Sequence, residues 1–579
     1  VDFSFAEVPI VMLRVVVALA ALHTPPQFDG ASPPRIPTAD SVVLFRSAQN
    51  AQRAFESFRR ARLPMGNGGS NPCDVRIGRY CYWRGDETET EEPTEKPEFS
   101  LRRTQLLALL DSASTLLPGD SWIAGQRVRY LVEAKRPDDA IRFAREQCKA
   151  PASWCAALAG YAAHVGGQYV LADSAFGDAL AKMDSSERCK WIDISPLLDE
   201  PIANRFHDLD CARREALMRH IFWLGSPLYS VSNADLRTEH FARITRTLLA
   251  ERSANAEGQP WADDIRELVL RYGWSRWHTR SPPRVSDYNA SPSITGHDSG
   301  VPYNFIPAAL AIDSLGAIGP DGWKLSDQFA RAGYAPAYAK TVHDLPGQIA
   351  LFRRGDSTLA VAAWDARKDE TMLGRTLDAA LVLATPAGSA AVTRQANSKT
   401  VGRITVTGVI DSGVVSLELF SESDRRAARL RGGVVGPGSG LDLSDLLLYA
   451  PDTAPAYELS AVRDSALASS VIAGSRGVGV YWETYGLEPN GEPVRYTLTV
   501  EQVGVSWLRR AAEALRFSDP SSSLRIQWTE VPQRRGDIAG RGVRVDLSRL
   551  RAGRYRVELS AATDGGGSAT TFREIEVRQ

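Results

Sequence analysis

Glu239, His240 and Arg243 fall within one helical turn. Residues four apart share a helix face, so Glu239 and Arg243 can pair, and with His240 they form either a hydrogen-bonded structural cluster or a seat for a polar ligand. The structural cluster is the expected outcome. A second constellation is Trp261, Asp263 and Asp264, which can hold an ion or a sugar. The competing expectation is that Trp261 fills a core with its indole N–H bonded. One aspartate then caps the next element or pairs with an arginine such as Arg271. Tryptophans 223, 261, 274 and 277 concentrate in this stretch with arginines 237, 243, 271, 276 and 280. Such rings can stack on a glycan, although aromatic cores are commoner. His297, Asp298 and Ser299 are adjacent, which rules them out as a relay with one another, because that relay is a spatial arrangement. They read as a turn.

Other chemistries lack their signatures. There is no G-x-x-x-x-G-K-[ST] phosphate loop, no H-E-x-x-H and no G-x-S-x-G. Gly436-Pro437-Gly438-Ser439-Gly440 lies between strand-like runs and reads as a loop. No catalytic residue, cofactor or metal is expected. Cys73, Cys81, Cys148, Cys155, Cys189 and Cys211 form no C-x-x-C. An even number in three near-neighbour pairs points to disulfides and an oxidising compartment, although six cysteines permit many pairings. Proximity selects Cys73–Cys81, Cys148–Cys155 and Cys189–Cys211. Near the start, Arg14 precedes the apolar run Val15–Leu22, which resembles a short secretory signal with Met12 as the start residue and residues 1–11 an upstream misreading. That run is too short to span a bilayer, which takes ~20 residues. An extracytoplasmic protein of the periplasm or cell surface, with no integral membrane segment once the signal is removed, is expected.

The chain has 579 residues, with 68 Lys+Arg against 69 Asp+Glu. That balance argues against a nucleic-acid binder, and the length calls for several domains. Residues 1–35 read as the leader, and 36–100 as a helix over 41–62 with the Cys73/Cys81 loop and a solvated acidic stretch at 85–98. Residues 101–219 read as helical repeats. The units starting at Ser121 and Ser153 are offset by close to the ~34-residue tetratricopeptide period. Gly160, Tyr169, Ala172, Phe176 and Ala179 fit its packing positions, Ala140 and Ala144 doing so more weakly. Small residues there let two helices approach, and Phe176 fills the space between them.

Residues 220–345 carry a family resemblance. Gly258-Gln259-Pro260-Trp261-Ala262-Asp263-Asp264 followed by Leu268-Val269-Leu270-Arg271-Tyr272-Gly273 is similar to the GWxTD-domain family of bacterial proteins. Pro260 intervenes between Gly and Trp, and Asp263 stands in place of Thr. The helix carrying Glu239, His240 and Arg243, and the run His297–Ala308, also resemble that family. The resemblance implies a central α/β domain with a strand at 268–270 and names no reaction.

From 346 onward the pattern alternates. Strands are expected at 348–354, 357–365, 378–385, 403–410 and 414–422. A second set lies at 444–451, 477–487, 494–504, 523–531, 543–550, 553–564 and 572–579, with a helical insertion at 504–517. Two immunoglobulin-like β-sandwiches, 346–440 and 441–579, follow from this spacing. The whole is a multidomain α+β protein, expected to act as a non-enzymatic scaffold or interaction module for a protein partner at the cell envelope. The alternative is an enzyme acting on an envelope polymer, or a carbohydrate-binding protein, with its site in 230–310.

Overall fold

The computed structural model describes residues 39–66, 73–83, 92–232, 234–281, 293–297, 301–315, 320–325, 330–436, 440–451, 456–474, 477–488, 491–503 and 523–578. The leader at 1–35, the insertion at 504–517, Asp298 and Ser299 lie outside the described residues, as do 85–91 of the acidic stretch and 437–439 of the Gly-rich loop.

The N-terminal part is helical: α1 (Ala39–Ala61), α2 (Pro97–Leu116), α3 (Ser121–Glu133), α4 (Pro137–Arg142), α5 (Ala152–Val165) and α6 (Tyr169–Lys182). Then come α7 (Ser185–Trp191), α8 (Glu200–His207), α9 (Cys211–Leu224), α10 (Asp235–Ala250) and α11 (Asp263–Tyr272). Aspartates start several of them. Asp120, Asp184 and Asp210 each accept a backbone N–H of the first turn of α3, α7 and α9, the bond that satisfies an otherwise orphaned donor. The hairpin of α5 and α6 closes as its composition implies. A Cβ at Gly160 would stand 2.8 Å from the Phe176 ring, so only glycine admits that ring. α10 then crosses α5 and α6, and one apolar core runs from Ala124 through Trp223, Phe241 and Leu249. It passes the 219/220 position without a break.

All three cysteine pairs form as proximity selects, with Cα separations of 5.3 Å for Cys73–Cys81, 5.9 Å for Cys148–Cys155 and 5.6 Å for Cys189–Cys211. The first closes a two-stranded hairpin, β1 (Val75–Ile77) and β2 (Tyr80–Tyr82). A second hairpin joins β3 (Trp277–Ser281) to β4 (Ser293–His297).

One expectation is corrected. Residues 268–270 are helical, inside α11. Ile265, Val269 and Tyr272 are its buried residues, a spacing of four and three that places them on one helix face. Asp263 and Asp264 in the first turn favour the helix N-terminus electrostatically, and Gly273 at φ 89° ends it.

The C-terminal part forms two β-sandwiches. The first has β5 (Thr341–Asp344), β6 (Gly347–Arg354), β7 (Ser357–Asp365), β8 (Leu377–Thr385), β9 (Gly388–Ser398), β10 (Val401–Gly408), β11 (Ser412–Ser421) and β12 (Arg426–Val435). Sheet β10-β7-β6 faces sheet β5-β12-β11-β8-β9 across a core of Trp364, Leu381, Leu383, Val406 and Leu417. The second has β13 (Asp442–Leu443), β14 (Leu447–Tyr449), β15 (Val471–Ala473), β16 (Val478–Tyr485) and β17 (Val494–Gln502). It continues with β18 (Leu524–Glu530), β19 (Ala539–Val545), β20 (Gly553–Thr563) and β21 (Ser568–Arg578). β16 pairs with β13, β14 and β19, and sheet β15-β21-β20-β17-β18 covers it around Trp482, Leu498 and Leu559.

Strands β8, β11 and β12 of the five-stranded sheet are buried on both faces, while β9 at its edge is largely exposed. Ala380, Val382, Ala384 and Val414 point away from the sandwich core and join the helical core. Strand β12 is absent from the expected list because Arg426, Arg429 and Arg431 break its apolar run. Arg429 Nη1 donates to the carbonyls of Ser226 and Pro227 at 2.9 Å, and Arg431 donates to those of Leu224 and Pro227. Glu418 on β11 accepts the backbone N–H groups of Tyr229 and Ser230, both at 2.9 Å. These bonds fix the sheet to the end of α9. Among the described residues no helix is long and apolar enough to cross a membrane.

Candidate functional site

The Glu239 cluster is internal. Arg243 Nε donates to Glu239 Oε1 at 2.6 Å, and its two terminal nitrogens donate to the carbonyls of Leu270, Arg271 and Gly333. His164 faces Glu239 Oε2 at 2.6 Å and Thr238 Oγ1 at 2.9 Å. Burial alone would raise the Glu239 pKa, but Arg243 and His164 overcome it and hold the carboxyl well below its usual range. His240 Nε2 meets the Trp191 carbonyl at 3.1 Å, and burial pushes its pKa down to about 4. Beside these residues is a void of about 30 Å³, room for solvent and not for a ligand. Glu239, His240 and Arg243 thus tie α10 to α5, α11 and the segment after Gly333.

Asp264 pairs with an arginine, Arg79 on the β1–β2 turn, and not with Arg271. Arg79 Nε donates to Oδ2 at 2.7 Å and Nη2 to Oδ1 at 2.8 Å. Asp264 also accepts the Ile265 N–H. Asp263 is exposed at the start of α11. Arg271 bonds Glu267 and the Arg331 carbonyl. Trp261 is half-buried and stands on the wall of a cavity, not in a core.

That cavity encloses about 510 Å³, within the ~300–1,000 Å³ range of small-molecule sites. The β1–β2 hairpin forms one wall with Tyr80, Tyr82 and Trp83; α11 forms another with Leu268, Val269 and Tyr272. The hairpin is pinned to α11 by the Arg79–Asp264 pair and by Tyr82 stacked on Tyr272, with centroids 3.8 Å apart and planes at 11°. Trp274 and the β3–β4 hairpin, through His278 and His297, complete the ring of walls. His297 stacks on Trp277 at 3.9 Å and shares a 2.8 Å hydrogen bond with Thr279 Oγ1. Burial, with His278 adding to it, lowers its pKa.

The floor is cationic. Arg59 of α1, Arg129 of α3 and Arg246 of α10 line it. Arg59 reaches Glu133 at 2.9 Å and also pairs with Glu56; Arg129 reaches Glu56 at 2.9 Å and Glu133 at 3.1 Å. Arg246 has only Glu133, at 3.9 Å, and its Nη1 meets no acceptor among the described residues. Burial and the neighbouring Arg129 both work against its charge and lower its pKa, Glu133 and Glu257 offsetting part of this. Glu257, the sole carboxylate among the described lining residues, accepts from His278 Nε2 at 2.8 Å. Burial opposes its charge, but His278 holds its pKa at about 2. Glycoside hydrolysis ordinarily uses two carboxylates, one of them a proton donor. The His278 contact favours the ionised, accepting form of Glu257.

The site therefore lies within 230–310 only in part. Arg59, Tyr82, Arg129, Arg246, Glu257 and His278 are absent from the residues singled out in sequence. Among the described residues no group of three or more His, Cys, Asp or Glu is placed to hold a metal ion.

No family model matches the chain, and no curated protein matches it. Among solved structures it is similar to the FN1–FN3 domains of chicken CNTN1, at 13% identity over 45% of this chain and 76% of that one, TM-score 0.14. Red sea bream transglutaminase aligns at 11% identity over 40% and 31%, TM-score 0.13. The native form of E. coli alpha-2-macroglobulin aligns at 10% over 41% and 17%, TM-score 0.13.

Proposed function

We propose that this chain is an extracytoplasmic, non-enzymatic recognition protein of the cell envelope that takes a ring-bearing ligand into the cavity between the β1–β2 hairpin, α11 and α10. The observation that carries the reading is the pairing of half-buried Trp261, Tyr82 and Trp274 on the walls with a guanidinium on the floor that lacks a full set of partners. Flat aromatic faces with polar groups at their edges take sugar rings. Three disulfides support the compartment, since such bridges persist under oxidising conditions. The helical region and the sandwiches, read as tetratricopeptide-like and immunoglobulin-like, supply the rigid frame and the outer surfaces on which a protein partner docks. Membership of the GWxTD family is proposed with it, on the runs Gly258–Asp264 and Leu268–Gly273, whose end glycines Gly258 and Gly273 take φ 67° and 89°.

The test is tryptophan fluorescence of the full chain titrated with soluble glycan fragments released from bacterial envelopes. A saturable change, weakened roughly tenfold in Trp261→Ala with the melting temperature kept, is expected. No saturable change in the wild type removes the reading. A second reading, an enzyme acting on an envelope polymer, draws on Glu257 held by His278 inside the same cavity. Conversion of the glycan to shorter products, abolished by His278→Asn, replaces the first reading with the second.

A further inference from the structure

We infer that the ligand is a sugar carrying an oxyanion, a carboxylate or a phosphate, and that Arg246 receives that group; this rests on the recognition reading above. The floor holds three guanidiniums, Arg59, Arg129 and Arg246, against two carboxylates, Glu56 and Glu133. Both carboxylates are committed. Glu56 accepts from Arg59, from Arg129 at 2.9 Å and from the Tyr130 hydroxyl at 2.7 Å. Glu133 accepts from Arg59 and Arg129. Arg246 is left at 3.9 Å from Glu133, beyond hydrogen-bond reach, with Nη1 unanswered. A buried donor without an acceptor costs free energy, and more so when it is charged. Glu257 does not meet that need, because His278 occupies it.

An oxyanion entering the cavity supplies what is missing. The planar guanidinium matches a carboxylate or phosphate through two parallel N–H bonds, and such charge-assisted bonds are the strong ones. The walls fix what carries the anion. Trp261, Trp274 and Tyr82, the last with one face taken by Tyr272, line the walls with aromatic rings, and Gln259 and Ser275 offer amide and hydroxyl groups for the ring's own hydroxyls. Other buried arginines that keep an unanswered atom among the described residues, Arg103 and Arg429 at Nε, do not line this cavity. Arg354 closes on Glu483 with bonds of 2.6 and 2.9 Å, and Arg431 closes on main-chain carbonyls.

Calorimetric titration of the full chain with matched pairs separates the sources: short oligogalacturonates beside their methyl esters, and glucose 6-phosphate beside glucose. An acidic member is expected to bind at least about tenfold more tightly than its neutral partner, with affinity falling as salt rises. The pair that responds identifies carboxylate or phosphate. Arg246→Gln is expected to erase the difference within the pair, and Arg246→Lys to retain part of it. Should Arg246→Gln fail to fold, the salt dependence and Arg246→Lys still decide. Equal affinity for neutral and acidic members overturns the anion inference and leaves the recognition reading standing. Silence from every member overturns both.

Discussion

Two arginine clusters lie inside this protein, and they are finished differently. At the junction of α9 and the β11–β12 sheet, Arg431 lies 3.7 Å from Glu418, and Arg429 has no carboxylate within ion-pair reach among the described residues. Both guanidiniums are answered by main chain: the carbonyl of Leu224, at the negative end of α9, and those of Ser226 and Pro227 just beyond it. The Tyr229 ring also lies 4.3 Å under Arg431. At the cavity floor the excess guanidinium, Arg246, meets no such answer. The same residue type thus acts as glue where main-chain carbonyls take most of its donors, Arg429 keeping only Nε unanswered, and as a candidate ligand contact at Arg246, which is less buried and lines the cavity.

Three measurements can break or sharpen this comparison. The largest effect is expected from Glu418→Ala. It strips two backbone N–H groups, Ser416 and Arg431 of their acceptor. Removing one partner of a buried ion pair costs about 3–5 kcal/mol. A chemical-denaturation midpoint matching wild type would show that the junction is not the glue described. Next comes Asp235→Asn, on the first turn of α10. Asp235 accepts from the hydroxyls of Tyr338 at 2.8 Å and Tyr334 at 3.4 Å, and Oδ1 has no partner among the described residues. Burial drives its pKa up to about 7, the tyrosines opposing only in part. A carboxyl whose folded pKa is raised holds its proton longer when folded. Stability therefore falls as pH climbs from the unfolded value of ~4 through about 7, by on the order of a few kcal/mol, and is level above that. The asparagine variant lacks this loss, so it should melt above wild type at pH 8 and not at pH 4. A constant offset between the two melting curves from pH 4 to 8 would refute the assignment. The smallest effect is expected from Arg246→Gln. Its guanidinium contributes little cohesion, so the melting temperature should stay level or rise slightly, on the order of 1 kcal/mol or less. A loss as large as that of Glu418→Ala would dissolve the contrast between the clusters.

What the sequence disclosed follows contact distance along the chain. The cysteine pairs are local, and each formed as spacing suggested. Gly160 and Phe176 were legible because helical hairpins pack by short-range rules. The strands from β6 to β8 were legible as short strand-like runs bounded by turn residues. β12 was hidden because its arginines reach back some 200 residues to carbonyls near Pro227, a match no local pattern displays. The run at 268–270 was read as extended through a resemblance, although the spacing of Ile265, Val269 and Tyr272 is that of a helix. The cavity was the least legible feature. Arg59, Tyr82, Arg129, Arg246 and His278 come from five separate elements, and nothing in any one of them marks the meeting point.

The doubly covered strands of the five-stranded sheet have a consequence for biosynthesis. Trp223 and Val382 belong to one core, yet about 160 residues separate them. At roughly 5–20 residues per second, the ribosome adds Trp223 on the order of ten to thirty seconds before it adds Val382. During that interval the nascent helical layer presents an uncovered apolar flank. A chain released after residue 345 would keep this flank exposed, because β8 and β11, which cover it, would be missing.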